Sequence, residues 1–579
     1  MIPLASFCHW ANTNGVVSRL IPKDSKEMGV GLFFNPTSEN NNKNELDQGE
    51  LLFVPRSLLL SRSRVFQFTC PILQKSLSII NPSNVSERLA IILFILSQRL
   101  LLEHRTQQKL DHSCSTGNST DESGDLFADY IATLPDVSTP VTLDPELVRG
   151  YLAGTLLLDS VCAKRSKLEA EFEHLSGKMG AFEDWPCRPT LENFIWADAT
   201  LWSRVLSFKT QWTDNDTSDD SKDDMHMVPY LDFANHAAKP NIRWEVDLDG
   251  LRVWGQESLL QDSKDGAVER EVFLSYGNKS NTELLFLYGF TLQDNPTQFL
   301  TLAMPMDEDD PYYMPKAHSL IRWGILPRIP IYLNKTDGPD DLEELCPGLW
   351  ITLKSRYLLW LYALSEDDGL GAFIEEPESK VCVMRDSAGQ DDDEDALEEA
   401  DLVDEDVVGR LVLTINDTRI DTLEVLESIV PKLEIFPVIK LRILVLVADR
   451  IEYYVSRIME TGNRVQKAEV TEIIQTLRSA NGSPTPELAE TRRVSRIGKN
   501  IGDCLVPTIL EPDHTQPITS RQLEAETQVS NLVTMMKNYR AEEMNVLVGM
   551  GNVLGEAQTQ CHEESEFIQS YLARMQLQE

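Results

Sequence analysis

Two short apolar runs near the start of the sequence limit what this chain can build. GVGLFF (Gly29–Phe34) and GELLFVPRSLLLS (Gly49–Ser61) are each opened by glycine, are β-type in composition, and are separated by the polar tract NPTSENNNKNELDQ. They read as two small strands with a solvated loop between them, so any sheet here is small and other elements must cover it. At 579 residues the chain is too long for one hydrophobic core, which sets the expectation of two domains or of one domain with a large insertion.

The pattern turns helical from Asn84 to about Leu102, and its longest apolar run, LAIILFIL (Leu89–Leu96), lies between Arg88 and Arg99. That run is far short of the roughly 20 residues a membrane span needs, so it reads as a buried helix. Beyond the polar break HSCSTGNSTDESGD, the segment DPELVRGYLAGTLLLDSVCAKRSKLEAEFEHL opens with an acid and a first-turn proline. TLENFIWADATLWSRVLSF follows with apolar residues spaced by three and four. This middle region, about residues 70–225, reads as an all-helical insertion, closed by the solvated acidic loop TDNDTSDDSKDD. After Phe290 long helices return in LLWLYAL, LRILVLVADRIEYYVSRIM and Gln522–Gln578, interrupted by the acidic stretch Asp386–Asp406, which is too polar to pack and reads as a loop or disordered insert.

A formal net charge of −39 argues against unspecific attraction to nucleic acid or anionic membrane and favours basic partners. The nine cysteines are scattered singly from Cys8 to Cys561, with no pair at two-residue spacing and no Cys/His cluster suited to zinc. Reduced thiols and a soluble intracellular protein are the expectation, cytoplasmic or nuclear and monomeric, without a bound metal. The N-terminal MIPLASFCHWA carries no basic-then-apolar signal. ETRRVSRIGK (Glu490–Lys499) has four bases in ten residues and reads as one face of a helix, with a nuclear address as the alternative.

Five segments in one order carry a resemblance: GVGLFF, ELLFVPRSLLL, WADATLWSRVLSF, VPYLDFANHAAKPN (Val228–Asn241) and EVFLSYGNKSNTELLFLYGF (Glu271–Phe290). Together they resemble the SET-domain methyltransferases, in the branch typified by the Rubisco large-subunit methyltransferase. YRAEEMNVL (Tyr539–Leu547) is similar to a Tyr-Arg-x-x-Glu stretch of that branch's C-terminal domain. The resemblance implies an α+β fold: a SET domain of short β-sheets over residues 1–300 with a helical insertion, then an all-α substrate-binding domain over 301–579. It also implies S-adenosylmethionine as methyl donor and a protein side-chain nitrogen as acceptor.

On that resemblance Tyr276 is the active-site tyrosine, near the transferring methyl group. A phenol with a pKa near 10 is rarely ionised at neutral pH, so its expected role is orientation and electrostatics rather than an obligatory general base. Asn235 and His236, with Asp232 and Phe233 in the same loop, are expected to contact the donor; read without the resemblance, Asn-His is a turn. Arg204 is expected to pair the donor carboxylate through its planar guanidinium. Gly29, Val30 and Gly31 are expected to let backbone approach the donor. Tyr288 reads either as a wall of the acceptor channel or as an ordinary core residue. One departure stands out: Met28 occupies a place where the plant enzyme type has glutamate.

The expected activity is lysine N-methylation of a basic, non-histone or ribosomal-type protein. A lysine amine must be neutral to attack, and a pKa near 10.4 leaves about one in a thousand neutral at neutral pH, a cost of about 4 kcal/mol. A narrow apolar channel and the adjacent sulfonium both lower that pKa. Histidine, mostly neutral already, is the alternative acceptor; a SET-fold scaffold without turnover is the alternative outside enzymes.

Overall fold

The computed structural model describes residues 4–25, 28–34, 46–111, 127–209, 224–260, 269–335, 339–375, 410–461 and 520–576. The acidic stretch 386–406 and the basic segment 490–499 lie outside the described residues. The chain divides into two compact units: Met1–Pro145 with Ser160–Asn295 and Gln528–Leu532, and Glu146–Asp159 with Pro296–Thr527 and Val533–Glu579.

In the first unit the two short apolar runs are strands of different sheets. One sheet has the order β1 (Val17–Ser18), β4 (Glu50–Pro55), β9 (Gly250–Gly255), β8 (Ile242–Val246); the other runs β2 (Leu20–Asp24), β3 (Val30–Phe34), β10 (Arg270–Leu274), β7 (Asn235–His236). A hairpin of β5 (Val205–Phe208) and β6 (Asp224–Met227) falls inside the stretch read as purely helical. Helix Glu87–Asp111 holds the apolar run, and every residue from Leu89 to Leu96 is buried. Its Arg88 is bonded to Asp198 (2.6 and 2.8 Å) and Glu171 (3.1 Å), so a charge forced into the helical layer has carboxylates to meet it.

Helix Leu191–Trp202 begins with a reciprocal cap: Thr190 Oγ1 accepts from Asn193 N–H and Asn193 Oδ1 accepts from Thr190 N–H (3.3 and 3.0 Å). The cap sets where this helix starts, and the helix delivers Arg204 two residues past its end. Helix Leu4–Thr13 buries Phe7 and Trp10 in an aromatic cluster with Tyr130, Tyr230 and Phe233.

The expected mixture of short sheets and helices is present, but the second unit is not all-helical. It carries a four-stranded sheet, β11 (Phe299–Ala303), β12 (Arg328–Tyr332), β14 (Leu349–Thr352), β13 (Leu342–Cys346), and a three-stranded one, β15 (Leu370–Glu375), β16 (Arg410–Ile415), β17 (Thr418–Ile420). These strands run three to six residues, too few for a period of two to separate from neighbouring helical spacing. Glu146–Asp159, read as part of the insertion, also belongs to this unit.

The Tyr-Arg-x-x-Glu stretch lies on helix Ser520–Glu564 with Glu543 buried, accepting from Leu156 N–H (2.8 Å) and from the Tyr539 hydroxyl. Burial pushes the Glu543 carboxyl up from 4.5 to about 7. The folded chain therefore holds a proton that the unfolded chain releases, and this stabilisation, full below 4.5, declines as pH rises toward about 7. Denaturant unfolding between these limits is expected to show stability falling with pH, and Glu543→Gln to flatten that slope; an unchanged slope in the variant counts against the assignment.

Candidate active site

The site is assembled by one backbone pairing between segments far apart in sequence. Strand β7 runs parallel to β10, with Asn235 opposite Phe273 and His236 opposite Leu274. Asn241 closes the pairing with its side chain: Nδ2 donates to the Glu271 carbonyl (3.0 Å) and Oδ1 accepts from Phe273 N–H (2.7 Å). Sequence inspection passed over Asn241; its only signal was an amide at the end of the same charge-poor segment.

This pairing carries Tyr276, just past β10, to the Asn-His segment. Its N–H donates to His236 Nδ1 (3.1 Å) and its hydroxyl donates to the Ala234 carbonyl (2.9 Å). The first bond makes Nδ1 an acceptor, so neutral His236 carries its proton on Nε2. Burial lowers the His236 pKa, with a backbone hydrogen bond at Leu274 opposing and the Lys279 charge assisting. Burial pushes the Tyr276 phenol up to about 12, with Arg204 lowering it and Asp232 raising it. Burial thus favours the protonated phenol, and its hydroxyl acts here as a hydrogen-bond donor.

Arg204 Nη1 donates to the Asp232 carbonyl (2.5 Å) and lies 3.6 Å from Asp232 Oδ2. The Tyr130 hydroxyl donates to the same Oδ2 (2.6 Å). Arg204 Nε and Asp232 Oδ1 are buried with no hydrogen-bond partner among the described residues. Burial raises the Asp232 pKa against the pull of Arg204 and Tyr130. The turn leading into Asp232 is strained at Tyr230, whose φ of 80° and ψ of −55° are unusual for a bulky residue. Its hydroxyl donates to the Leu20 carbonyl (2.7 Å) and its ring packs on Phe7, which holds the turn.

The predicted residues do not all point one way. Phe233 is buried against Phe7, leaving only its backbone for a ligand. Tyr288 packs on Tyr276 at 4.7 Å between ring centres and on Phe290 at 6.0 Å, so its ring belongs to the same aromatic group as Tyr276 and His236. Burial raises the Tyr288 pKa. Gly29 has a positive φ of 77° and nothing within 4 Å of where a β-carbon would sit. Gly31 differs: a β-carbon there would collide with Glu271 Oε1 and lie 2.9 Å from Asn235 Nδ2. The space beside Gly31 is thus filled by the protein's own Glu271 and Asn235, a pairing the sequence reading did not foresee. The NKSNTELL context around Tyr276 is largely structural: Ser280 and Glu283 cap helix Asn281–Tyr288, and Asn281 exchanges two 3.0 Å bonds with the Leu292 backbone. Among the described residues no group of His, Cys, Asp and Glu is arranged to hold a metal, and no helix is long and apolar enough to cross a membrane.

Paired short sheets, a two-residue Asn-His strand beside a tyrosine, and a helical insertion fit a SET fold. The chain has this fold in the form found in the Rubisco large-subunit methyltransferase: it is similar to a crystal structure of the SET domain of LSMT bound to lysine and AdoHcy, with 16% identity, a TM-score of 0.53, and coverage of 97% of this chain and 92% of that one. A structure of the same domain bound to MeLysine and AdoHcy gives a TM-score of 0.52 at 16% identity, covering 97% and 93%. No protein-family model matches the chain. In sequence it is 28% identical over 195 residues to SET domain-containing protein 8 of Schizosaccharomyces pombe, covering 33% of this chain and 40% of that protein. It is 31% identical over 133 residues to the ribosomal lysine N-methyltransferase set10 of the same organism (22% of each chain). It is 25% identical over 217 residues to the human actin-histidine N-methyltransferase (37% of this chain, 35% of that one). The matched stretches thus span at most 40% of these three relatives.

The Asn241 bridge predicts its own test. Asn241→Ala leaves the Phe273 N–H and the Glu271 carbonyl without their partner, at a cost of about 1–3 kcal/mol. Denaturant unfolding is expected to show that loss, and amide exchange at Phe273 to quicken; wild-type exchange there would contradict the bridging role.

Proposed function

We propose that the chain is an S-adenosylmethionine-dependent protein N-methyltransferase whose acceptor is lysine. The observation that carries this reading is the junction at Tyr276: a protonated phenol held on the Ala234 carbonyl, beside Asn235 and within the field of Arg204 and Asp232. The residues suit the donor chemically. Arg204, whose Nε has no partner among the described residues, fits a carboxylate, and Asn235, whose Oδ1 makes no hydrogen bond with described residues, fits an ammonium.

A bound donor would supply a sulfonium-activated methyl group to the acceptor nitrogen, with Arg204 and Asn235 the residues that would hold its amino-acid end. Removal of water from an amine lying beside the Tyr276, Tyr288 and Phe290 rings would favour the neutral form that attack requires. Tyr276 contributes fixed orientation, because its hydroxyl and its backbone are both tethered. Lysine is favoured over histidine because set10 is named for ribosomal lysine and the LSMT structure for bound lysine; the actin-histidine relatives keep the imidazole reading as the second one. A net charge of −39 suits a basic protein substrate drawn in by long-range attraction.

The test is incubation with methyl-labelled S-adenosylmethionine and a cell extract fractionated by charge. Labelled lysine in a basic fraction is expected, with Tyr276→Phe lowering the rate about 10- to 100-fold. Amino-acid analysis separates lysine from histidine. Equal labelling by both proteins removes Tyr276 from this role, and no label in any fraction supports a scaffold without turnover.

A further inference from the structure

Resting on the reading above, we propose that Glu271 is a positioning residue for the donor's α-ammonium, acting by setting the side-chain amide of Asn235. Glu271 on β10 is held at both oxygens: Asn235 Nδ2 donates to Oε1 (2.7 Å) and the Ser25 hydroxyl donates to Oε2 (2.9 Å). An ionised carboxylate only accepts hydrogen bonds. Asn235 must therefore turn its NH₂ toward Glu271, and its carbonyl oxygen is left facing the other way.

That oxygen can only accept, which makes Asn235 selective for a donor such as an ammonium. Glu271 adds negative charge one hydrogen bond behind it. Gly31 completes the device, because a β-carbon there would collide with Glu271 Oε1. Met28, where the plant enzyme type has an acid, is 49% exposed and brings no charge.

Glu271→Gln keeps the shape but removes both the charge and the acceptor-only constraint, since either amide can then turn over. Two probes separate positioning from mere support: S-adenosylhomocysteine, which has the α-ammonium, and 5′-methylthioadenosine, which lacks the whole amino-acid end. By calorimetry Glu271→Gln is expected to weaken S-adenosylhomocysteine about tenfold, the size of one charge-assisted contact, and to leave 5′-methylthioadenosine unchanged. Unchanged affinity for both probes overturns the proposal, and so does parallel weakening of both, which marks Glu271 as a strut for the pocket. If the wild-type chain binds 5′-methylthioadenosine and S-adenosylhomocysteine equally, no ammonium contact exists for Glu271 to serve. Failure of the wild type to bind S-adenosylhomocysteine at all overturns the donor reading itself, a result distinct from any effect of the substitution.

Discussion

The candidate site depends on the parallel pairing of a two-residue strand, Asn235–His236, with β10. A contact this short has little cooperative strength of its own. It persists because Asn241 bonds to the β10 backbone and because Ala237 N–H donates to the Leu274 carbonyl (3.0 Å). Once the segments lie side by side, the tyrosine two residues past Leu274 necessarily falls beside the histidine, and Glu271 falls beside the asparagine. One strand alignment thus sets both the phenol end and the carboxylate end of the site.

The surrounding elements hold that alignment under strain. The unfavourable backbone of Tyr230 is retained because its ring is locked among Phe7 and its neighbours and its hydroxyl is bonded to Leu20. The N-terminal helix and the insertion helix Ala128–Thr133 therefore bear on the site through Phe7, Trp10 and Tyr130, and Tyr130 reaches Asp232 with its hydroxyl. Buried Asp232 in turn stands beside Arg204, whose position follows from a capped helix. A buried polar atom with no partner among the described residues, such as Arg204 Nε or Asp232 Oδ1, costs stability.

Much of this was legible in the sequence where local chemistry is strong. GVGLFF and ELLFVP are strands, LAIILFIL is a buried helix, and Tyr276, Asn235, His236 and Arg204 lie in one neighbourhood. The short strands of the second unit were not legible, because runs such as LWIT or FLTLA carry too few residues to show their period. Phe233 was read with its polar neighbours, yet its ring belongs to the Phe7 cluster, since adjacent residues in a turn need not share a face. Glu271 opens the EVFLSYGN motif as an ordinary strand-start acid, and nothing local in the sequence distinguishes one whose carboxylate is bonded to Asn235 and Ser25.

By itself the sequence determined the elements and the reactive groups, because apolar spacing, capping residues and the ionisable side chains are local properties that do not wait for the fold. Which groups meet was decided only by tertiary structure. The amide of Asn235 gains an orientation, and Gly31 its reason for lacking a side chain, only when a strand from elsewhere in the chain brings Glu271 alongside. Hydrogen-bond direction and excluded volume act across space over a few ångströms, and separation along the chain carries no record of that distance.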